Sequence, residues 1–245
     1  MKKNAQFKFA QWLSSKVGQS FLSLERKVLK NLPGMHRQPI VLFGECEQRS
    51  LIDSFNLIVT QTEPVEFKDH VILTHFDALP LQPDSIEHIV LPHTLDFVAT
   101  PNALLREMNI ALRADGYVTI IGFNPLSLWG LRRFISFRKK GPWAGKFRPI
   151  WQIKSWLDIL NYDVILYKKH IHRLPCLKNK LFDKLACLEP IQKALFPFAG
   201  AIYVMVAKKK VFGVTPLRPR WKKIPKVLSR PAMKPTLTMK QEKVE

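Results

Sequence analysis

The chain has few cysteines and no long apolar run. Its 245 residues include three cysteines, Cys46, Cys176 and Cys187. They are odd in number and widely spaced, which argues against a disulfide framework and against the paired spacing of a zinc site. The longest apolar stretch, 194–207, has 14 residues, fewer than the roughly 18–20 that cross a bilayer. We interpret it as a buried strand, and we expect a protein of the reducing cytoplasm.

Acidic residues are also scarce, since 19 Asp and Glu face 39 Lys and Arg, a formal charge of +20. The net positive charge is unevenly distributed along the chain: residues 1–38 carry +7, 39–125 carry −8, 126–207 carry +11 and 208–245 carry +10. This distribution favours a small-molecule site in the first half. For the second half it favours either a surface for a polyanion or only a solvated basic face.

Composition divides the chain into three predicted parts. Residues 1–10 are interrupted by polar side chains and do not form the apolar run of a secretory signal. A hydrophobic content of 47% is enough to bury a full core. The segment after Val214 is basic, contains five prolines and has no apolar periodicity, which is typical of disorder. We predict an N-terminal helical extension over 1–38, a globular domain over 39–207 and a basic, disordered tail over 208–245.

Strand-length apolar runs alternate with helical patterns. Apolar residues at three- and four-residue steps predict a leading helix over 12–32, stopped by Pro33 and Gly34. Strands are predicted at 39–43, 57–59, 71–73, 86–91, 117–121, 163–167 and 201–207. Further helices are predicted at 50–55, 101–112, 127–137, 150–160 and within 181–196. Alternation of this kind predicts an α/β fold, a doubly wound and mainly parallel sheet with helices on both faces. Ligands bind such sheets at the carboxyl ends of the strands, here in the loops 44–48, 60–63, 77–80, 91–97 and 122–129.

Four motifs follow one another in this part of the chain: DALP at 77–80, DSIEHIV at 84–90, LPHTLDF at 91–97 and LRADGY at 112–117. Together they resemble the class I S-adenosylmethionine-dependent methyltransferases, and the type 11 branch in particular. That family has an acidic residue, a small residue and Leu-Pro after its third strand. A His-containing loop follows its fourth strand, and a Leu-Arg-x-x-Gly turn precedes its fifth. The resemblance covers 39–207 and implies a seven-stranded Rossmann-like methyltransferase fold that binds S-adenosyl-L-methionine.

The resemblance also implies positions for the cofactor. Asp77 is similar to the carboxylate that accepts from the adenine amino group, a bond that distinguishes adenine from rings without this donor. The neighbouring positions would cover the base and line the pocket near the methionine part, and they are Ala78, Leu79, Leu91, Pro92 and His93. The alternative for Asp77 is a turn cap before Leu79 and Pro80.

The first glycine motif departs from the family pattern. An acidic residue and three alternating glycines are expected, but residues 42–48 read LFGECEQ and keep Gly44 alone. Glycine matters there because a residue without Cβ lets the backbone approach the ligand closely. Cys46 and Gln48 are therefore expected to narrow the pocket. The cofactor residues carried over from this turn are Phe43, Gly44 and Glu45, with Glu45 or Glu47 as a substitute carboxylate.

The acidic residue that usually binds the ribose hydroxyls is likewise missing after the second strand, which leaves Gln61 or Glu63 for that role. Beyond the fifth strand, GFNPLSLWGLRR at 122–133 resembles the same segment of an uncharacterised bacterial sub-branch of the type 11 proteins, as does TPLRPRW at 215–221. Contacts to the methyl acceptor are predicted for Phe97, Asn124 and Trp129. A turn before the helix at 127–137 is the structural alternative for Asn124.

The predicted function is methyl transfer from S-adenosyl-L-methionine to an unidentified acceptor. A sulfonium is a good neutral leaving group, so positioning the nucleophile suffices and no catalytic residue is predicted. No metal site is predicted, since His170 and His172 have no further ligand at suitable spacing. The alternative is a catalytically inactive binding protein that kept the fold. The basic and aromatic segment 126–140, together with 208–245, suits an anionic membrane surface or RNA, against the simpler reading of ordinary helix packing.

Overall fold

A computed structural model describes residues 3–52, 55–61, 70–76, 78–135, 140–171 and 200–210, with the side chains of residues 3 and 4 left aside. Seven strands in this part of the chain form one sheet: β1 (Ile40–Phe43), β2 (Leu57–Thr60), β3 (Val71–Leu73), β4 (Ile86–Pro92), β5 (Leu112–Phe123), β6 (Tyr162–His170) and β7 (Ile202–Lys209). Their order is β3-β2-β1-β4-β5-β7-β6. β7 runs antiparallel to both of its neighbours, and the other pairs are parallel. The predicted mainly parallel, doubly wound α/β fold is confirmed.

Six α-helices accompany the sheet in the described residues: α1 (Lys3–Leu13), α2 (Lys16–Leu29), α3 (Thr94–Phe97), α4 (Pro101–Ala111), α5 (Leu128–Ile135) and α6 (Ile150–Ile159). Short 3-10 turns occupy Cys46–Leu51 and Gly141–Ala144. No helix among these residues is both long and apolar enough to cross a membrane.

Buried side chains form one apolar cluster on each face of the sheet. α1 and α2 supply the first cluster, which includes Phe9, Leu13 and Phe21. α4 and α6 supply the second, which includes Leu104 and Leu157. Full burial of one such side chain stabilises the fold by about 1.5–3 kcal/mol. The two N-terminal helices are therefore part of the core that supports the sheet.

The leading helix differs from its prediction because it is two helices. The apolar stripe continues through the break, but Ser15 caps α2 by accepting a 3.2 Å hydrogen bond from the Gly18 backbone N–H. A Cβ on Gly18 would lie 2.2 Å from the Trp12 carbonyl oxygen, so the close turn between α1 and α2 requires glycine.

The predicted helix at 50–55 is wrong. A capping box between Glu45 and Gln48 starts a 3-10 turn earlier, at Cys46, and Ile52 already has an extended backbone. Residues 53–54 and the predicted helix within 181–196 lie outside the described residues.

Candidate functional site

A cleft lies where β1 and β4 end side by side. These two strands pair in parallel, with Leu42 opposite Val90, and the chain leaves them toward opposite edges of the sheet. Such a switch point opens a crevice at the carboxyl ends of the strands. The polar and backbone lining comes from Gly44, Glu45, Gln48, Pro92, His93 and Thr94. α1 adds Gln6 and Phe9, the loop after β3 adds Phe76, and α3 adds Phe97.

The first turn after β1 is filled by the side chain of Gln48. Its Oε1 accepts from the Glu45 backbone N–H at 2.9 Å, and its Nε2 donates to the Pro92 carbonyl at 3.0 Å. A Cβ on Gly44 would lie 2.2 Å from Gln48 Oε1. The amide of Gln48 therefore lies directly on the backbone of Gly44, where the resemblance expects the chain to approach a ligand.

Helix α1 covers the same cleft. Phe9 stacks on Phe97 with ring centroids 4.4 Å apart and meets the edge of His93 at 5.7 Å. Gln6 Nε2 donates to Gln61 Oε1 at 3.2 Å, which connects α1 to the residue after β2. The open volume that remains is about 10 Å³, roughly the room for one water molecule.

Behind the cleft, His93 lies between two buried carboxylates. Its Nε2 is 2.6 Å from Glu25 Oε1 on α2, and its Nδ1 is 3.6 Å from Asp96 Oδ2 on α3. The His93 ring also stacks on Phe123 at 3.9 Å. His93 adopts the left-handed backbone conformation, with φ of 58°, which is uncommon for a side chain other than glycine and directs the chain into α3.

The charges of this group explain its protonation. Burial alone lowers the pKa of His93, but the negative charges of Glu25 and Asp96, together with the hydrogen bond to Glu25, outweigh it and raise the pKa to about 9. Burial raises the pKa of Asp96, opposed by His93 and by the backbone N–H groups of Phe123 and Arg148, which donate to its carboxylate. His93 is thus an imidazolium at neutral pH.

Two polar atoms of this group have no hydrogen-bond partner among the described residues, namely His93 Nδ1 and Glu25 Oε2. The 3.6 Å from His93 Nδ1 to Asp96 is too long for a hydrogen bond. Unsatisfied buried polar atoms of this kind are costly and mark a group with capacity for a further contact. Within the described part of the chain, no group of three or more His, Cys, Asp or Glu side chains is arranged to hold a metal ion.

The structure brings together one part of the predicted site. Five predicted residues line the cleft: Gly44, Glu45, Pro92, His93 and Phe97. The other predicted cofactor residues that the structure describes do not line it. Gln61 contacts Gln6 at its edge, and Ala78 is exposed beyond β3. Leu79 packs against the second core cluster, and Phe43 and Leu91 are buried members of that cluster. Glu63 and Asp77 lie outside the described residues.

Asn124 and Trp129 are placed away from the cleft lining. Asn124 is 4% exposed, its Oδ1 accepts from the Leu126 N–H at 3.1 Å, and its Nδ2 donates to the Gly200 carbonyl at 2.9 Å. This is the turn that its position before α5 predicts. Trp129 is 1% exposed and stacks on Trp143 at 5.5 Å. In this structure both side chains serve packing and turn geometry.

Sequence reasoning missed Gln6, Phe9, Glu25 and Asp96 as neighbours of the site. Glu25 could have been identified from the sequence, because it is the one acidic residue in 1–38. It also falls on the apolar stripe of α2, between Phe21 and Leu29. A carboxylate on an otherwise apolar helix face requires a buried partner.

An adenosyl cofactor fits this cleft only if the residues that fill and cover it move. The lining offers backbone groups at Gly44, the apolar Phe76 and His93, whose Nδ1 is unsatisfied. About 10 Å³ is far too small for a nucleoside. The residues therefore do not accommodate the cofactor in the present arrangement, and accommodation requires Gln48 and α1 to shift.

Among the solved structures that share this fold are SAM-dependent methyltransferases. A SAM-dependent methyltransferase from Thermotoga maritima is 16% identical at a TM-score of 0.63, with 84% of this chain and 100% of that chain covered. Another from Archaeoglobus fulgidus is 18% identical at a TM-score of 0.56, with 76% and 92% covered. The chain thus has the fold of the class I S-adenosylmethionine-dependent methyltransferases.

Sequence comparison connects the chain to an uncharacterised relative. The uncharacterised protein YafS of Escherichia coli is 34% identical over 138 residues, which are 56% of this chain and 54% of YafS. The chain therefore spans about half the length of the curated relative that it matches. No family model matches the chain, so its assignment to the type 11 branch stays a prediction.

Proposed function

We propose that this protein is an S-adenosyl-L-methionine-dependent methyltransferase whose cofactor cleft is closed by Gln48 and α1 and opens for binding. One observation carries the proposal. The cleft lies at the switch point of a β3-β2-β1-β4-β5-β7-β6 sheet and is lined by Gly44, Pro92 and His93, residues that the sequence motifs assign to the cofactor. Known proteins with this fold are SAM-dependent methyltransferases.

Within this proposal each strand end has a role. Asp77 would accept from the adenine amino group, with Ala78 and Leu79 beside the base. Gln61 or Glu63 would hold the ribose hydroxyls. These assignments rest on the sequence motifs, and the exposure of Ala78 next to the buried Phe76 is compatible with a base bound outside β3.

The cofactor, when bound, supplies a methyl group on a positively charged sulfur. The protein's own contribution is to orient an acceptor and to exclude water. Because His93 is already protonated at neutral pH and fixed between Glu25 and Asp96, we infer that it is a fixed charge that orders the cleft wall. It is not assigned the role of a base that removes a proton from the acceptor.

The first test is equilibrium binding of S-adenosylhomocysteine by calorimetry. The native chain is expected to bind one molecule, and Ala78→Arg is expected to weaken binding by about tenfold or more, since a long side chain would fill the space beside the base. Ala114→Arg is the matched control. Ala114 is an exposed alanine at the amino end of β5, away from the carboxyl ends of the strands where the cleft lies.

Both variants change an exposed alanine, so both are expected to fold, as circular dichroism would show. No saturable binding by the native chain near millimolar ligand would exclude the methyltransferase proposal. Equal weakening by both arginine variants would place the ligand elsewhere.

A second candidate function is favoured by the filled first turn. A binding protein that retained the fold but not the cofactor would not need an open cleft. The Gln48 side chain fills this cleft and forms hydrogen bonds with Glu45 and Pro92 inside it, as this candidate expects. This candidate predicts that Gly44→Trp leaves the cellular role unchanged in a folded protein.

We also propose a cytoplasmic location, supported by the unpaired Cys46 thiol and the spacing of the cysteines.

A further inference from the structure

Helix α5 presents an apolar face to solvent. Leu126, Leu131, Phe134 and Ile135 are 69%, 54%, 76% and 68% exposed, and Leu128 is 36% exposed. We call these five residues the α5 patch. Leu128, Leu131, Phe134 and Ile135 lie at three- and four-residue spacing on one side of α5 and form a strip, and Leu126 lies in the turn just before the helix. Large apolar side chains grouped in this way on a surface mark an interaction site more often than scattered ones do.

The side of α5 that faces the protein is already packed, so the α5 patch remains on the solvent side of the helix. Trp129 stacks on Trp143 at 5.5 Å and on Phe123 at 6.1 Å. A Cβ on Gly130 would lie 1.9 Å from the Pro125 carbonyl oxygen, so the backbone of α5 sits directly on the preceding turn. The helix therefore cannot rotate to bury the patch without losing this contact.

The segment that carries the patch is basic. No Asp or Glu occurs from residue 116 to residue 157, whereas eight Lys and Arg do: Arg132, Arg133, Arg138, Lys139, Lys140, Lys146, Arg148 and Lys154. Of these, Arg138 and Lys139 lie outside the described residues, and Lys154 is on α6, at the other face of the sheet. Two of the eight are held beside the helix. The Arg132 guanidinium lies 4.5 Å from the centre of the Trp143 ring, and Arg133 Nε donates to the Gly145 carbonyl at 2.7 Å. Lys140 and Lys146 are exposed.

We propose that the α5 patch docks this protein on the surface of an anionic lipid bilayer. Apolar side chains on one face would enter the boundary between headgroups and acyl chains, and the basic residues around them would lie at the level of the lipid phosphates. Four of the five patch residues are Leu or Ile, which bury well in hydrocarbon but offer no ring for stacking on bases. RNA recognition relies on such stacking, so the chemistry favours lipid over nucleic acid. This inference is independent of the cofactor cleft.

The test is flotation of the full chain with phosphatidylcholine vesicles that contain or lack phosphatidylglycerol. The native chain is expected to float with the anionic vesicles. Phe134→Glu combined with Ile135→Glu is expected to lower the partition coefficient by about tenfold or more, since burial of each large apolar side chain contributes roughly one order of magnitude. Ile110→Glu is the matched control, because Ile110 is 53% exposed on α4, against the other face of the sheet.

Raised salt separates the patch from the basic tail at 208–245. Salt screens charge but not apolar burial, so the native chain is expected to keep part of its binding in raised salt while the double variant loses it. Failure of the native chain to bind anionic vesicles would overturn the proposal, as would equal binding by the native chain and the double variant in raised salt. Binding of single-stranded RNA that the same two substitutions abolish, without vesicle binding, would assign the surface to nucleic acid instead.

Discussion

Replacing Glu25 by alanine is expected to lower the free energy of unfolding by about 3–5 kcal/mol, the usual cost of removing one partner from a buried ion pair. Glu25 and His93 are both fully buried and lie 2.6 Å apart. Without Glu25, the fold must either keep a buried imidazolium beside Asp96 or release its proton at a cost. Urea unfolding near neutral pH measures the change. Lys27→Ala is the control, an exposed charged residue on the same helix, and it is expected to change the unfolding free energy little.

The dependence on pH gives the same prediction a second readout. The pKa of His93 is about 9 in the folded chain against an ordinary 6.5, so the folded state binds more protons in this interval. The resulting stability is fully present below about pH 6.5 and is lost as the pH rises through about 9, a fall of about 3 kcal/mol. The raised pKa of Asp96 acts in the same direction from lower pH. Glu25→Ala should flatten the alkaline limb, and an unchanged limb would contradict the assignment to His93.

Replacing Gln48 by glycine is expected to tighten the binding of S-adenosylhomocysteine by about tenfold to a hundredfold. If the ligand must displace the Gln48 amide, it first breaks two buried hydrogen bonds, to Glu45 and to Pro92. Each contributes about 0.5–1.5 kcal/mol net, so the two together contribute about 1–3 kcal/mol, and 1.4 kcal/mol corresponds to a factor of ten in affinity. Calorimetric titration of the native chain and the variant measures the difference.

Ser50→Gly controls for general loosening of this turn, since Ser50 is exposed in the same 3-10 segment. It should leave the affinity unchanged. Gln48→Ala offers a second variant that removes the same amide while keeping more of the local backbone preference. Unchanged affinity in both Gln48 variants would mean that this side chain does not occupy the ligand's space. Absence of binding in the native chain and in both variants would favour the non-catalytic candidate.

Most strands of the sheet could be predicted because each is a short apolar run in the sequence. β3 was predicted at its observed bounds, and β1, β2 and β4 within one residue. β1, β2 and β4 are largely buried parallel strands, which read as short apolar runs, whereas β3 is a partly exposed edge strand made of three apolar residues. β5 extends further in both directions, to Leu112 and Phe123. Its start contains the polar Arg113 and Asp115, which hide the strand from a pattern based on hydrophobicity. The break between α1 and α2 was missed for the opposite reason, because the apolar stripe continues across Ser15.

The candidate site was predictable only where it is local in sequence. Gly44, Pro92 and His93 follow strand ends and were placed by their motifs. Gln48, in the same turn as Gly44, was also expected to narrow the pocket, whereas the contacts of α1 and α2 around the cleft join residues far apart in the chain, such as Gln6 with Gln61 and Glu25 with His93. No periodicity reports which distant side chain will fill a cleft, because tertiary packing decides it. The fold neighbours, at 16–18% identity, establish the architecture but not these contacts.

The two N-terminal helices are attached to the sheet in different ways, and this decides how the cleft can open. α2 holds Glu25 against His93, so lifting it would separate a buried ion pair. α1 covers the cleft through Phe9 and the Gln6 amide, with no such charge pair among its described side chains. Entry of a ligand would therefore move α1 alone, with a hinge at Ser14 and Ser15. α2 would keep its position beside the opened cleft.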